Sequence, residues 1–352
     1  APGDTTGGPE VTLVQPDVPV VLAAKERSKR ISIKGRVSSV RPLAGLRVAS
    51  KEAAQPGKYV ADFEQEVTVL AGSNILVEAV DDAGNRTAVT IPVSQVGAGK
   101  PLKIEGDRYA LIIGVSQYSA KPGLASLPSA RLDAGAFAAA LTGQAGFKRE
   151  NVTTLTDADA THAKIRSALR NFTARPNPDD LLIVFFAGYG LHDPLDPSKL
   201  YLAAHDTQLG QVGETAIAID DLKSTLASSI RSRQALLLFD VNHAIEGEWA
   251  TRNNNLINDY LLRLFQGDAG KAVMVGSSVN ENAVDQSAGG GLFARHLIEA
   301  ARGQGDANQD GVTTVREWFL QVSRAVKADS GGRQNPRFTL QQAERPVFAA
   351  AR

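Results

Sequence analysis

Three stretches in the second half of the chain are nearly unbroken apolar runs: Leu181 to Ala187, Ala235 to Asp240 and Ala272 to Ser277. A strand with water on one face alternates apolar and polar side chains, so runs of this kind belong to strands covered on both faces. Further strands read at Tyr109 to Val115 and Val152 to Leu155, and helical patterns near Ala130 to Leu141, Thr161 to Phe172 and Ile219 to Ile230 fall between them. Strands alternating with helices form βαβ units, so the expected fold is α/β: a mostly parallel sheet flanked by helices.

The preceding part has a different texture. From Ile31 to about Val96 short runs alternate apolar and polar residues (Ile31/Ile33, Val67/Val69, Ile75/Val77/Ala79, Val89/Ile91/Val93) between Gly, Pro, Asn and Asp turns. That pattern predicts a small all-β sandwich. The segment from Gly72 to Arg86, with Asp81-Asp82-Ala83-Gly84-Asn85 at its turn, resembles the last hairpin of bacterial immunoglobulin-like or fibronectin-like modules. Such modules serve as spacers or adhesion surfaces. The expected organisation is a linker or edge segment over 1–28, an immunoglobulin-like sandwich over 29–98 and an α/β domain over 107–350, with the texture changing at Gly97-Ala98-Gly99-Lys100.

At roughly 150 residues per domain, 352 residues fit two domains. Thirty-eight Lys and Arg balance thirty-eight Asp and Glu, so no field of one sign exists to draw nucleic acid or an anionic membrane. The chain has no cysteine, which excludes disulfides, thiolate metal sites and any thiol nucleophile. No run of about 18 apolar residues occurs, so no transmembrane helix is expected. Ala1-Pro2-Gly3 and the Gly/Thr-rich residues after it look like what remains once a signal peptide or anchor is removed. With the all-β module and the lack of cysteine, they make a periplasmic or extracellular protein the expectation.

In open α/β sheets the functional groups gather beyond the carboxyl ends of the strands. The third strand continues into Ala187-Gly188-Tyr189-Gly190, and the fourth into Phe239-Asp240-Val241-Asn242-His243-Ala244-Ile245. Both resemble the caspase, metacaspase and orthocaspase family (peptidase C14), as do Tyr109 to Val115 and Leu127 to Ala134; the resemblance covers about 240 residues. In that family the third strand ends in Gly-His-Gly, whose His is the general base. The fourth ends in Asp-x-Cys-His-Ser-Gly, whose Cys is the nucleophile. Here Tyr189 stands at the His position, Asn242 at the Cys position, and Ala244-Ile245 replace Ser-Gly.

Thiol hydrolysis of a peptide needs a thiolate and a partner of near-neutral pKa. A carboxamide attacks poorly, and a phenol with a reference pKa near 10 is mismatched as a base at neutral pH. The resemblance therefore implies a pseudo-orthocaspase with no intact catalytic residues. A replacement hydrolase could, for example, use Ser277 or Ser278 with His243, His192 or His205, but no Gly-x-Ser-x-Gly elbow is present.

The resemblance also implies a pocket. In metacaspase-like members two acids hold a basic substrate side chain, and Asp133 and Asp240 match their positions. Paired carboxylates can still hold Arg or Lys through charge-assisted hydrogen bonds when nothing is cut. The competing reading places Asp133 at a helix amino end and gives Asp240 to loop amides.

Residues 306–317 fit the twelve-residue EF-hand loop. Oxygens from Asp306, Asn308, Asp310, the Val312 carbonyl, Thr314 and a bidentate Glu317 can surround Ca2+, and Gly311 permits the sharp turn. Gly291 to Ala301 reads as the entering helix and Thr314 to Ala328 as the exiting one, with Trp318, Phe319, Val322 and Val326 on one face. The alternative is a loop that only caps the second helix. A single loop points to a structural calcium ion. The leading expectation is thus an exported caspase-like pseudoprotease that acts as a binding or regulatory module for a protein or peptide with exposed Arg or Lys. The alternatives are a caspase-clan peptidase, another hydrolase with an unrecognised nucleophile, and a cell-surface structural protein.

Overall fold

The computed structural model describes residues 8–16, 20–96, 104–119, 124–193, 195–196, 198–243, 256–265, 268, 270–278, 281, 285–286, 290–339 and 345–349. The chain forms two compact units, whose principal segments are Ala1–Leu102 and Lys103–Asp306 with Gly311–Arg352.

The first unit is all β: β1 (Glu10–Gln15), β2 (Val20–Leu22), β3 (Ser28–Ser38), β4 (Leu43–Val48), β5 (Lys51–Ala54), β6 (Val60–Leu70), β7 (Asn74–Asp81) and β8 (Arg86–Gln95). One sheet runs β1-β3-β6 and the other β2-β8-β7-β4-β5. All pairings are antiparallel except β2 with β8. The alternation in β6 explains its place: Ala61, Phe63, Val67 and Val69 are buried, while Asp62 and Glu64 pair outside with Arg36 and Lys34 of β3. Gly35 allows the close packing there, since a Cβ would stand 2.6 Å from both the Phe63 ring and the Thr12 carbonyl. At the β7–β8 turn the Asp81 carboxylate accepts from the amides of Ala83 and Asn85 and from Asn85 Nδ2. These bonds, the side-chain one first, hold its pKa below the ordinary value.

The second unit is built on β9 (Arg108–Gly114), α1 (Pro128–Gly143), β10 (Val152–Thr156), α2 (His162–Asn171), β11 (Leu181–His192), β12 (Leu200–Leu202), α3 (Val212–Thr215), β13 (Ile217–Ala218), α4 (Ile219–Ser229), β14 (Gln234–His243), α5 (Leu256–Leu264) and β15 (Lys271–Val275). The short pair β16 (Asp285–Gln286) and β17 (Gly290–Gly291) follows, then α6 (Leu292–Glu299), β18 (Val312–Thr314), α7 (Val315–Asp329), β19 (Arg337–Phe338) and β20 (Pro346–Ala349). The main sheet has the order β10-β9-β11-β14-β15-β19. Its first five strands are parallel and β19 is antiparallel. Side chains of β11 alternate between two cores. Ile183, Phe185 and Tyr189 pack with α1, α6 and α7, whereas Leu182, Val184 and Phe186 pack with α2, α4 and α5.

Two strands run past their expected ends. β11 continues to His192 because Gly190 to His192 pair with β12, and β14 continues beside it to His243. Gly190 is needed there: a Cβ would lie 2.5 Å from Ile257 and 2.6 Å from Val241. β15 stops at Val275, short of the expected Ser277. After α6 the helix widens into a π turn over Ala300–Gln304, so it runs past its expected end at Ala301 and breaks at Gly303.

Candidate functional site

The parallel strands follow the spatial order second, first, third, fourth and fifth, so the chain reverses its direction of travel between β9 and β11. Loops diverge at such a switch point and leave a crevice at the carboxyl ends. Tyr189 and Asn242 are register partners there, on adjacent parallel strands. Neighbouring strands lie about 4.8 Å apart and register partners share a face, so the two expected dyad positions are brought side by side.

Tyr189 is buried at 7% exposure. Its ring centroid lies 5.5 Å from that of Tyr118, in the segment after β9. The Tyr118 hydroxyl donates to the Val115 carbonyl (3.0 Å) and accepts from the Tyr189 amide (3.1 Å). Burial pushes the Tyr118 phenol above its ordinary pKa, so it stays protonated at neutral pH and supplies no base. Asn242 is half-buried. The segment after β9 is also tied down by Asp157, whose Oδ1 accepts from the amides of Ser116 and Gln117.

The residues considered as a replacement centre have structural partners. Ser277 is buried, and Asn258 Nδ2 donates to both its carbonyl and its Oγ at 3.1 Å. Ser278 Oγ donates to the Asn335 carbonyl at 2.7 Å. His192 Nδ1 lies 3.1 Å from the Asp193 carbonyl, and His205 Nδ1 lies 2.6 Å from the Gln117 carbonyl. The His243 side chain and residues Ala244-Ile245 lie outside the described residues.

Asp133 and Asp240 converge. Asp133 sits in the second turn of α1, which starts at Pro128, so it does not serve the helix amino end. Both its oxygens accept from the Gly291 amide, at 3.0 and 2.9 Å. A Cβ at Gly291 would lie 2.9 Å from Asp133 Oδ2 and 3.2 Å from Asp240 Oδ2, which puts both carboxylates within reach of one point. Gly276 and Gly290 complete the wall, their Cβ positions falling 2.8 Å from Asp240 Oδ1 and 2.2 Å from Asp133 Oδ1. The acids are buried, at 5% and 4% exposure. Two carboxylates so placed suit a planar cation, but the 290–291 backbone lies directly against them. These three glycines were not singled out from the sequence for this role; for Gly290 and Gly291 the run Gly289-Gly290-Gly291 before an apolar helix was the available signal.

In the loop at 306–317, Asp306 Oδ2 accepts from the Gly311 amide (2.9 Å), and Asn308 Oδ1 accepts from the Asp310 amide (2.9 Å). Gly311 adopts φ +95° with nothing near its Cβ position. Thr314 and Glu317 form a capping box on α7: Thr314 Oγ1 accepts from the Glu317 amide, while Glu317 Oε2 accepts from the Thr314 amide at 2.9 Å. The loop offers hard oxygens around a turn only glycine takes easily, the donor chemistry Ca2+ takes, but among the described residues no three acidic or His side chains gather as a metal cluster. The strand segment β18 pairs with β20, which gives this single loop a β partner.

The family model of the caspase domain, Peptidase C14, matches residues 107–348. The chain belongs to the caspase-domain family. No curated protein matches it. Among solved structures, the crystal structure of a Geobacter sulfurreducens protein, a Northeast Structural Genomics target, aligns over 70% of this chain and 100% of that one, with 18% identity and a TM-score of 0.49. The caspase domain thus contains Tyr189, Asn242, both buried acids and the loop at 306–317. The all-β unit preceding it is consistent with an immunoglobulin-like module.

Proposed function

We propose that this caspase-domain protein binds peptides without cutting them, as a pseudoprotease module that holds an exposed Arg or Lys of a partner between Asp133 and Asp240. The observation that carries this reading is the pair Tyr189 and Asn242: register partners at the two positions where the family places its base and nucleophile, with Tyr189 packed on Tyr118. The convergence of two buried carboxylates supports the basic ligand. Entry of a guanidinium would exchange the Gly291 amide for a stronger, charge-assisted partner and would require the 290–291 strand to shift. A structural calcium ion held by Asp306, Asn308, Asp310, Val312, Thr314 and Glu317 belongs to the same proposal. So does a periplasmic or extracellular location, supported by the all-β module and the cysteine-free composition.

The test compares the natural protein with the Tyr189→His, Asn242→Cys double substitution on a diverse peptide library, with calcium and with chelator. Silence of the natural protein and cleavage after Arg or Lys by the double variant is the expected result. Turnover by the natural protein would establish the peptidase alternative. Silence of both, with no binding of Arg-terminated peptides that Asp240→Ala weakens, would leave only a structural role.

A further inference from the structure

The caspase-domain sheet has two edges, and they differ. At one end β19 has two residues, and its Arg337 is engaged with Asp259. At the other end β10 reads Val-Thr-Thr-Leu-Thr and, among the described residues, pairs only with β9. Edge strands usually discourage further pairing with a charge, a proline, a bulge or extreme shortness. β5, at an edge of the first unit, carries Lys51 and Glu52. β10 has none of these devices, and its β-branched residues favour extended pairing.

Beside this edge a groove runs between β10 and α2, with Leu155 and Phe172 contributing apolar surface. Its charged lining residues are Lys164 and Arg175, and no carboxylate lines it. Arg175 lies at the β10 start: its Nη2 donates to the Glu150 carbonyl, and its guanidinium stacks 5.0 Å from the Phe172 ring centroid. Lys164 lies at the other end, where its Nζ reaches the Ala158 carbonyl and pairs with Asp159, an exposed contact that exchanges at little cost.

We propose that the β10 edge receives an extended acidic segment of a partner polypeptide as an added strand. Main-chain hydrogen bonds to β10 supply the affinity, and the side chains facing α2 supply the choice of sequence. Five residues of strand span about 13 Å, and the two cations flank β10 beyond its two ends. The matching segment therefore has acidic residues at i and i+4, which face the same way, and an apolar residue at i+2 above Leu155 and Phe172. This surface lies apart from the Asp133 and Asp240 site and is independent of the function proposed for it.

The probe is the peptide acetyl-Thr-Glu-Thr-Val-Thr-Glu-Thr-amide with its Lys-for-Glu counterpart, added to the full chain. Backbone hydrogen exchange over 152–156 and fluorescence anisotropy of the labelled peptide are read. The acidic peptide is expected to slow exchange at every second amide of β10. Its affinity should fall tenfold or more with Lys164→Glu, Arg175→Glu, a variant that should instead favour the Lys peptide. Lys164→Glu alone, at an exposed position, is expected to act in the same direction if loss of the Arg175 stacking unfolds the double variant. Equal protection by both peptides, or none at millimolar acidic peptide, would overturn the proposal.

Discussion

Tyr189 and Asn242 face each other across adjacent parallel strands, and the amide of Tyr189 donates to the hydroxyl of Tyr118. Tyr189 is therefore held by an aromatic neighbour from a different strand end.

Tyr118→Phe removes the acceptor of that amide and the donor to the Val115 carbonyl. It is expected to destabilise the caspase domain by about 1–3 kcal/mol, measured by urea unfolding at neutral pH. The effect should also depend on pH. Burial raises the phenol pKa of folded Tyr118, so above about pH 10 the unfolded chain loses this proton before the folded one does. The stability it contributes is present below the unfolded pKa and is lost as pH rises through the folded one. Wild type should lose more stability than Tyr118→Phe above pH 10; parallel alkaline limbs would refute the assignment.

Much of this site was legible in the sequence because its residues sit in patterns set by backbone chemistry. Continuous apolar runs located β11 and β14, and the residues following them carried the resemblance that placed Tyr189 and Asn242. What could not be read were contacts between segments far apart in the chain. Nothing near Asp133 announces that Gly291, 158 residues later, donates to it. Tyr118 likewise lies in a loop with no periodic pattern. Strand ends were misjudged for the same reason: β11 persists to His192 only because β12 returns to pair with it.

Gly291→Ala tests the closeness of the two acids. The added methyl would fall 2.9 Å from Asp133 Oδ2 and 3.2 Å from Asp240 Oδ2, and the expected cost is about 1–3 kcal/mol from overpacking. Combination with Asp133→Ala should recover part of it, giving a coupling energy of at least about 0.5 kcal/mol in a double-mutant cycle. Strict additivity would mean that the carboxylate and the glycine do not touch.

The two units have separate hydrophobic cores, one around Leu22, Ile33, Val37 and Val77 and the others on the two faces of the caspase-domain sheet. A chain starting at residue 103 should therefore keep a single cooperative transition by calorimetry. Loss of that transition would show that the caspase domain depends on the preceding unit.

Capping at Glu317 can be separated from the proposed calcium binding. Thr314→Ala breaks the capping box and should cost about 1 kcal/mol even in chelator. Glu317→Gln preserves an N3 side chain able to accept from the Thr314 amide but removes the charge a cation needs. It should change the chelator Tm little while abolishing the calcium-dependent rise. For the natural protein that rise corresponds to about 2.7 kcal/mol at a hundredfold excess over Kd, several degrees for a domain of this size. Identical Tm values for the natural protein in calcium and in chelator would assign the loop to capping alone.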